Sequence, residues 1–188
     1  MARADAGEST DLVADAVDLL TRDHRLLEEL FAAFAAATPQ QLDPLARRTC
    51  KLLRIHAQIE EELFYPVARR ATQDDAMIDE AEREHAEARQ AIARVESMTS
   101  DHDGFKSAVG DLAAMATAHV REEESRLFPR LRNAGVNLVA LGVALAERRD
   151  TLLDTLGLHS DDEEGAANQR EVQQPPARAP QEGEQRGA

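Results

Sequence analysis

The sequence predicts an all-α protein: an up-down-up-down antiparallel four-helix bundle with a short fifth C-terminal helix and a disordered tail. Three observations predict it. Four long stretches repeat apolar side chains at steps of three and four, the period of a helix that buries one face. Short runs of turn residues separate them, which sets neighbouring helices antiparallel. Of the 188 residues, 43% are apolar, only 3% are aromatic and none is tryptophan, a mixture that favours helix over strand.

Residues 1–10 are small and polar and are expected to be disordered, and the bundle is expected over 11–157. The first helix starts near Thr10 or Asp15 and runs to Ala37, with Val17, Leu20, His24, Leu27, Phe31 and Phe34 on one stripe. Thr38-Pro39 reads as its stop. Asp43-Pro44 reads as the next start, an acidic cap followed by proline at the first helical position. That second helix carries Leu45, Leu52, His56, Ile59, Glu60, Leu63 and Val67, and Pro66 is expected to kink or end it. Thr72 and Asp75 resemble a capping box opening a third helix, where Ile78, Ala81, His85, Ala88, Ile92 and Val95 give the cleanest periodicity in the chain. Met98 to Gly104 is a loop by its turn residues. A fourth helix follows from Phe105 to Arg132, closed by Asn133-Ala134-Gly135. The fifth segment, about Asn137 to Leu156, is expected to pack on the end of the bundle or on another subunit, slightly weakened by Gly142. From residue 158 to 188 no apolar period survives, and the acidic, proline- and glutamine-rich composition predicts a disordered tail.

The formal net charge of −14 opposes binding to nucleic acid or to an anionic membrane surface. No apolar run is long enough to span a bilayer, and the N-terminus lacks the basic-then-apolar layout of a secretory signal. A single cysteine, Cys50, excludes an internal disulfide framework and fits a small core residue in a reduced, cytoplasmic protein. Oligomeric state is not legible.

The chemistry lies in a repeat. His56-Ala-Gln-Ile-Glu60-Glu-Glu-Leu-Phe-Tyr-Pro66 recurs as His119-Val-Arg-Glu-Glu123-Glu-Ser-Arg-Leu-Phe-Pro129, in both cases His-x-x-x-Glu with a proline ten positions after the histidine. Residues four apart lie on one helix face, so each copy aims an imidazole and a carboxylate at one place. A further histidine precedes each copy: His24 lies 32 positions before His56, and His85 lies 34 before His119. Each helix of the bundle therefore brings one histidine to its inner face. Two carboxylates among them would be costly to bury unpaired, and metal cations remove that cost. Four neutral imidazoles and two carboxylates suit a pair of divalent first-row metals, with iron, manganese and zinc all compatible by ligand type. If Glu60 and Glu123 both bridge, each metal gains two histidine nitrogens and two carboxylate oxygens. Octahedral iron then keeps positions for water, an oxo or hydroxo bridge, and O2 or peroxide.

On these residues the chain resembles the hemerythrin-like HHE cation-binding proteins. The resemblance covers about residues 15 to 156, most specifically Asp23-His24-Arg25, His56 to Pro66, Glu84-His85-Ala86-Glu87 and His119 to Pro129. It implies a bundle holding a non-haem di-iron centre, with His24, His56, His85 and His119 as terminal ligands and Glu60 and Glu123 as bridges. Oxygen-carrying members have a second histidine four residues after the third-helix histidine. Here Arg89 stands there, so the five-histidine site is incomplete, and the open coordination favours redox chemistry or sensing over storage of O2.

The resulting expectation is a di-iron protein that binds O2, peroxide or nitric oxide and detoxifies peroxide in a catalase-like manner under oxidative stress. The alternative is a non-catalytic oxygen or iron sensor, or an iron-handling module, acting through a partner. A bundle without metal is the least favoured. A ferritin-like site would repeat Glu-x-x-His. Only Glu82 and His85 fit, leaving Glu82 as an auxiliary ligand at most. Arg89 either enters the pocket, pairing with an anion or with Glu60 or Glu123, or lies on the solvated flank. Tyr65 either donates a hydrogen bond into the site or simply closes a helix end, and sequence alone favours the second. Leu63, Phe64, Leu127 and Phe128 read as core that keeps the pocket dry. The remaining glutamates of the two Glu runs read as solvated face, and His102 and His159 as bystanders.

Overall fold

The computed structural model describes residues 14–158, so the expected disordered stretches, residues 1–10 and 158–188, lie outside them except for Leu158. Among the described residues all regular structure is helical. Helix α1 (Ala16–Ala35) opens on Asp15, whose side chain accepts from the Asp18 amide. Helix α2 (Pro39–Ile59) passes through a π-helical turn (Glu60–Phe64) into α3 (Tyr65–Thr72). Helix α4 (Asp75–Glu96) follows, then α5 (Phe105–Glu122), a second π-helical turn (Glu123–Leu127), α6 (Phe128–Arg132) and α7 (Leu138–Thr155).

Three boundaries differ from the expectation, each for a local reason. Thr38-Pro39 starts α2 rather than merely stopping α1: Gln41 Oε1 accepts from the Thr38 amide at 3.0 Å and from its hydroxyl at 2.9 Å. Asp43-Pro44 offered the same signal, but Pro44 lies inside the helix and Asp43 instead accepts from the Ser100 amide at 3.1 Å. Asp74, not Thr72, caps α4, accepting from the Met77 amide at 3.1 Å, while the Thr72 hydroxyl turns back to Ala68 O. Neither Pro66 nor Pro129 ends its helix. Each falls in the first turn of the α segment after a π turn, where a proline lacks only an amide that the altered register leaves aside.

Two apolar clusters flank the histidine layer. One gathers Val17, Leu20, Ile59, Phe64, Ile78, Leu127 and Leu131; the other gathers Leu27, Phe34, Leu53, Ile92, Phe105 and Leu112. Every histidine of the repeat sits in sequence between a residue of the first cluster and a residue of the second. Burying each of these large side chains contributes about 1.5–3 kcal/mol, so the polar layer is held between two stable plugs. Cys50 is buried, and burial pushes its thiol up to about 11, which agrees with a core role.

Helix α7 packs against α1, α2 and the first π turn. Gly142 is where it presses closest: a Cβ there would stand 2.6 Å from Ala14 O and 2.8 Å from Ala16 N. The glycine permits the docking instead of weakening it. Two arginines then fix the helix, Arg148 on Glu62 at 2.6 Å and Arg149 on Asp23 at 3.0 Å.

Candidate metal centre

The helical period alone brings His24 of α1, His56 of α2, His85 of α4 and His119 of α5 to one level, and all four are buried. Glu60 and Glu123 join them from the first residue of each π turn, 0% and 2% exposed. The π turns put an i→i+5 bond after each glutamate, Tyr65 N–H to Glu60 O and Phe128 N–H to Glu123 O. Such turns concentrate at functional sites because they re-aim the side chains they carry.

One donor atom from each of His24, His56, Glu60 and Glu123 lies within 4.8 Å of the others, and Glu60, His85 and His119 form a second such group. Both carboxylates straddle the two groups. Glu60 Oε2 lies 3.2 Å from His56 Nε2 and 3.4 Å from His85 Nε2. Glu123 Oε2 lies 3.4 Å from His24 Nε2 and 3.6 Å from His119 Nε2.

The outer nitrogens explain why the inner ones converge. His24 Nδ1 meets Glu124 at 2.9 Å, His85 Nδ1 meets Glu61 at 3.1 Å and His119 Nδ1 meets Glu84 at 2.9 Å. A carboxylate can only accept, so each Nδ1 carries the proton and each Nε2 presents a lone pair inward. His56 differs: its Nδ1 is 3.8 Å from Asp23, which is held by Arg149 instead. Of the carboxylates adjacent in sequence to the site residues, Glu61 and Glu124 read in sequence as solvated face, and Asp23 and Glu84 enter only as motif residues of the resemblance, without a role. Their signal was position. Each neighbours an inward residue, and a ligating imidazole needs an acceptor on its other nitrogen.

Electrostatics identify the strain. Burial pushes the Glu60 carboxyl well above its ordinary range, helped by the charge of Glu123. Burial acts on Glu123 in the same direction, but the imidazoles of His119, His24 and His56 outweigh it and hold that carboxyl low. His85 hydrogen bonding lowers Glu61, and His119 lowers Glu84 in the same way. Among the described residues, His24 Nε2, both nitrogens of His56, both oxygens of Glu60 and Glu123 Oε2 are buried without a hydrogen-bond partner. Orphaned buried polar atoms cost about 1–3 kcal/mol each, and all of these except His56 Nδ1, which faces Asp23, lie on the inner side of the layer. Imidazole and carboxylate lone pairs so arranged fit divalent cations, which remove that cost.

Tyr65 corrects the sequence reading. It is 0% exposed and donates its hydroxyl to Glu123 Oε1 at 2.9 Å, with His85 Nε2 at 3.3 Å. Burial and the neighbouring Glu123 push its phenol well above the ordinary range, so it keeps its proton. Arg89 stays on the flank, pairing with Glu61 at 2.5 Å, and does not reach Glu60 or Glu123. Glu82 is exposed and pairs with Arg69 at 3.2 Å, away from the site. Phe64, Leu127 and Phe128 are buried as expected, and Phe128 stacks on the His24 ring at 5.7 Å. His102 lies in the exposed turn before α5, and His159 falls outside the described residues.

Two openings reach this layer. A cavity of about 500 Å³ has His56, His85 and His119 among its lining. A more polar groove passes His119, Glu123, Glu122 and Arg126.

Comparison with known proteins agrees with this geometry. The family model described as the hemerythrin HHE cation binding domain matches residues 15–131. A curated DNA nickase from Nostoc sp. is 30% identical over 117 residues, which is 62% of this chain but 33% of that protein. The chain thus spans about a third of the length of that relative. A crystal structure of a hemerythrin HHE cation binding domain-containing protein from Mycobacterium kansasii superposes with a TM-score of 0.67 at 22% identity, covering 76% of this chain and 89% of that one.

Proposed function

The chain belongs to the hemerythrin HHE cation-binding family, and from that premise we propose that it holds two iron ions and disproportionates hydrogen peroxide, with O2 and nitric oxide as further ligands. His24, His56, His85 and His119 would hold the ions through Nε2, and Glu60 and Glu123 would span them. The observation that carries the reading is the set of buried, partnerless inward atoms on His24, His56, Glu60 and Glu123, with His85 and His119 brought to the same level. Bound iron supplies a Lewis acid and a reservoir for two electrons.

The chain's own residues supply the rest. Disproportionation turns two H2O2 into two H2O and one O2, so one peroxide must lose protons and the other gain them. Tyr65 Oη, 2.9 Å from Glu123 Oε1, is placed to give a proton and recover it through that carboxylate. The Nδ1 carboxylates hold the imidazoles in orientation, and the apolar cluster of Val17, Leu20, Ile59, Phe64 and Leu127 covers one side of the layer. The activity named for the Nostoc relative is not extended to this chain, whose charge of −14 opposes a phosphate backbone.

The test is iron analysis of the purified protein followed by oxygen evolution from added peroxide. Two irons per chain and sustained oxygen release are expected. Bound iron with no turnover of peroxide, O2 or nitric oxide would replace this reading with that of a sensor.

A further inference from the structure

The cavity above the histidine layer is far larger than peroxide or a diatomic gas requires. It holds about 500 Å³, against about 30 Å³ for one water in the liquid. Its origin is legible in the repeat. The inward positions one turn from each histidine, on the same side of the layer, are Leu27, Leu53, Ala88 and Ala116. The first copy of the repeat fills this level with leucine and the second with alanine. Packed interiors rarely leave such space open. Ile92 and Met115 continue the apolar wall, and Arg54 and Arg89 stand at the rim, each already paired with a glutamate. The result is a mainly apolar chamber of the size that takes an organic ligand, with three convergent imidazoles at its floor and Glu61, Glu84 and Glu87 among its polar lining.

The geometry points to organic hydroperoxides as substrates of this site: an apolar body in the chamber and the –OOH head at the floor formed by His56, His85 and His119. The inference rests on the peroxide reading above and extends it. Hydrogen peroxide is the reductant. The O–O bond of ROOH breaks, two electrons and two protons pass to it from H2O2, and the products are ROH, H2O and O2. Tyr65 is not part of the chamber lining, but its hydroxyl lies 3.3 Å from His85 Nε2 of the floor and would supply the proton to the departing oxygen from there.

Cumene hydroperoxide, with about eleven non-hydrogen atoms, suits a chamber of this class, and its product alcohol, 2-phenylpropan-2-ol, is a stable probe of binding. Titration of the iron-loaded full chain with that alcohol should show one saturable site, weakened at least about tenfold by Ala116→Leu or by Ala88→Leu, either of which removes chamber volume. In turnover with both peroxides, each variant should lower kcat/KM for cumene hydroperoxide relative to hydrogen peroxide by about tenfold or more. Absence of alcohol binding to the native chain, or equal binding by both variants, overturns the inference. Turnover of hydrogen peroxide with none of cumene hydroperoxide overturns it alone. Turnover of neither overturns the peroxide reading with it.

Discussion

The two halves of the centre carry the same ligand types on different supports. His85 and His119 each have a glutamate on Nδ1 and share the Tyr65 hydroxyl. In the other half, His24 stacks on Phe128, the residue that takes the place of Tyr65 nine positions after the second histidine of the repeat, and His56 lies edge-on to His24. The Glu84 of one half is matched in the other by Asp23, one methylene shorter and drawn off by Arg149, so His56 Nδ1 stands 3.8 Å away and lacks a partner. A repeat can thus preserve a donor set while dividing the work. One half is braced at both histidines and protic; the other is packed against an aromatic ring, unbraced at His56 and tied to α7, and the chamber reaches both through His56, His85 and His119. Helix α7 begins at Leu138, beyond the residues that match the family model, 15–131.

The largest effect should come from removing what the halves share. Glu60→Ala is expected to lower bound iron from two per chain to less than one, measured by metal analysis, because both groups use that carboxylate. His119→Ala should cost one ion and leave the other. Equal loss in both variants would break the division into halves.

Next, Tyr65→Phe gives the braced half the aromatic residue of its counterpart. Oxygen release should fall by about a hundredfold, within the usual range for a lost general acid, with iron content retained. Phe128→Tyr should leave the rate near that of the native chain. A drop of similar size in both would deny Tyr65 its role.

Support of the imidazoles separates the halves further. Glu84→Ala should weaken the affinity of the His85–His119 half by about ten- to a hundredfold, followed by competition with a chelator. Arg149→Met frees Asp23 to approach His56 and should tighten the other half by a smaller factor. Weakening of iron binding in Arg149→Met would mean that the arginine braces Asp23 for His56 rather than drawing it away.

The smallest effect is expected from Gly142→Ala. Its Cβ would meet Ala14 O at 2.6 Å, backbone that cannot simply rotate aside. The cost should be about 1–3 kcal/mol of stability, read from thermal or denaturant unfolding. Chelation should then change at the His24–His56 half alone. A change at both halves would show that α7 supports the whole bundle and not one side of the centre.

Residues that follow the helical period were legible in the sequence. His24, His56, Glu60, His85, His119 and Glu123 all fall on inward stripes, and the structure brings all six together. What escaped was set by tertiary contact or local register. Pro66 looked like a break because the π turn before it is a backbone adjustment with no sequence period of its own. Tyr65 looked like an end cap because the inserted residue of that turn is what carries its ring inward. Glu61 and Glu124 looked solvated because their partners lie on other helices. The chamber was hidden because alanine at 88 and 116 satisfies the apolar pattern as well as leucine does, and only packing shows the missing volume.

The most direct measurement is the Mössbauer spectrum of the protein loaded with isotopically enriched iron. Two irons held by like donors on unlike supports should give two resolved quadrupole doublets of equal area. A single doublet from two irons per chain would contradict the inequivalent halves, and iron at one per chain or below would contradict the paired centre itself.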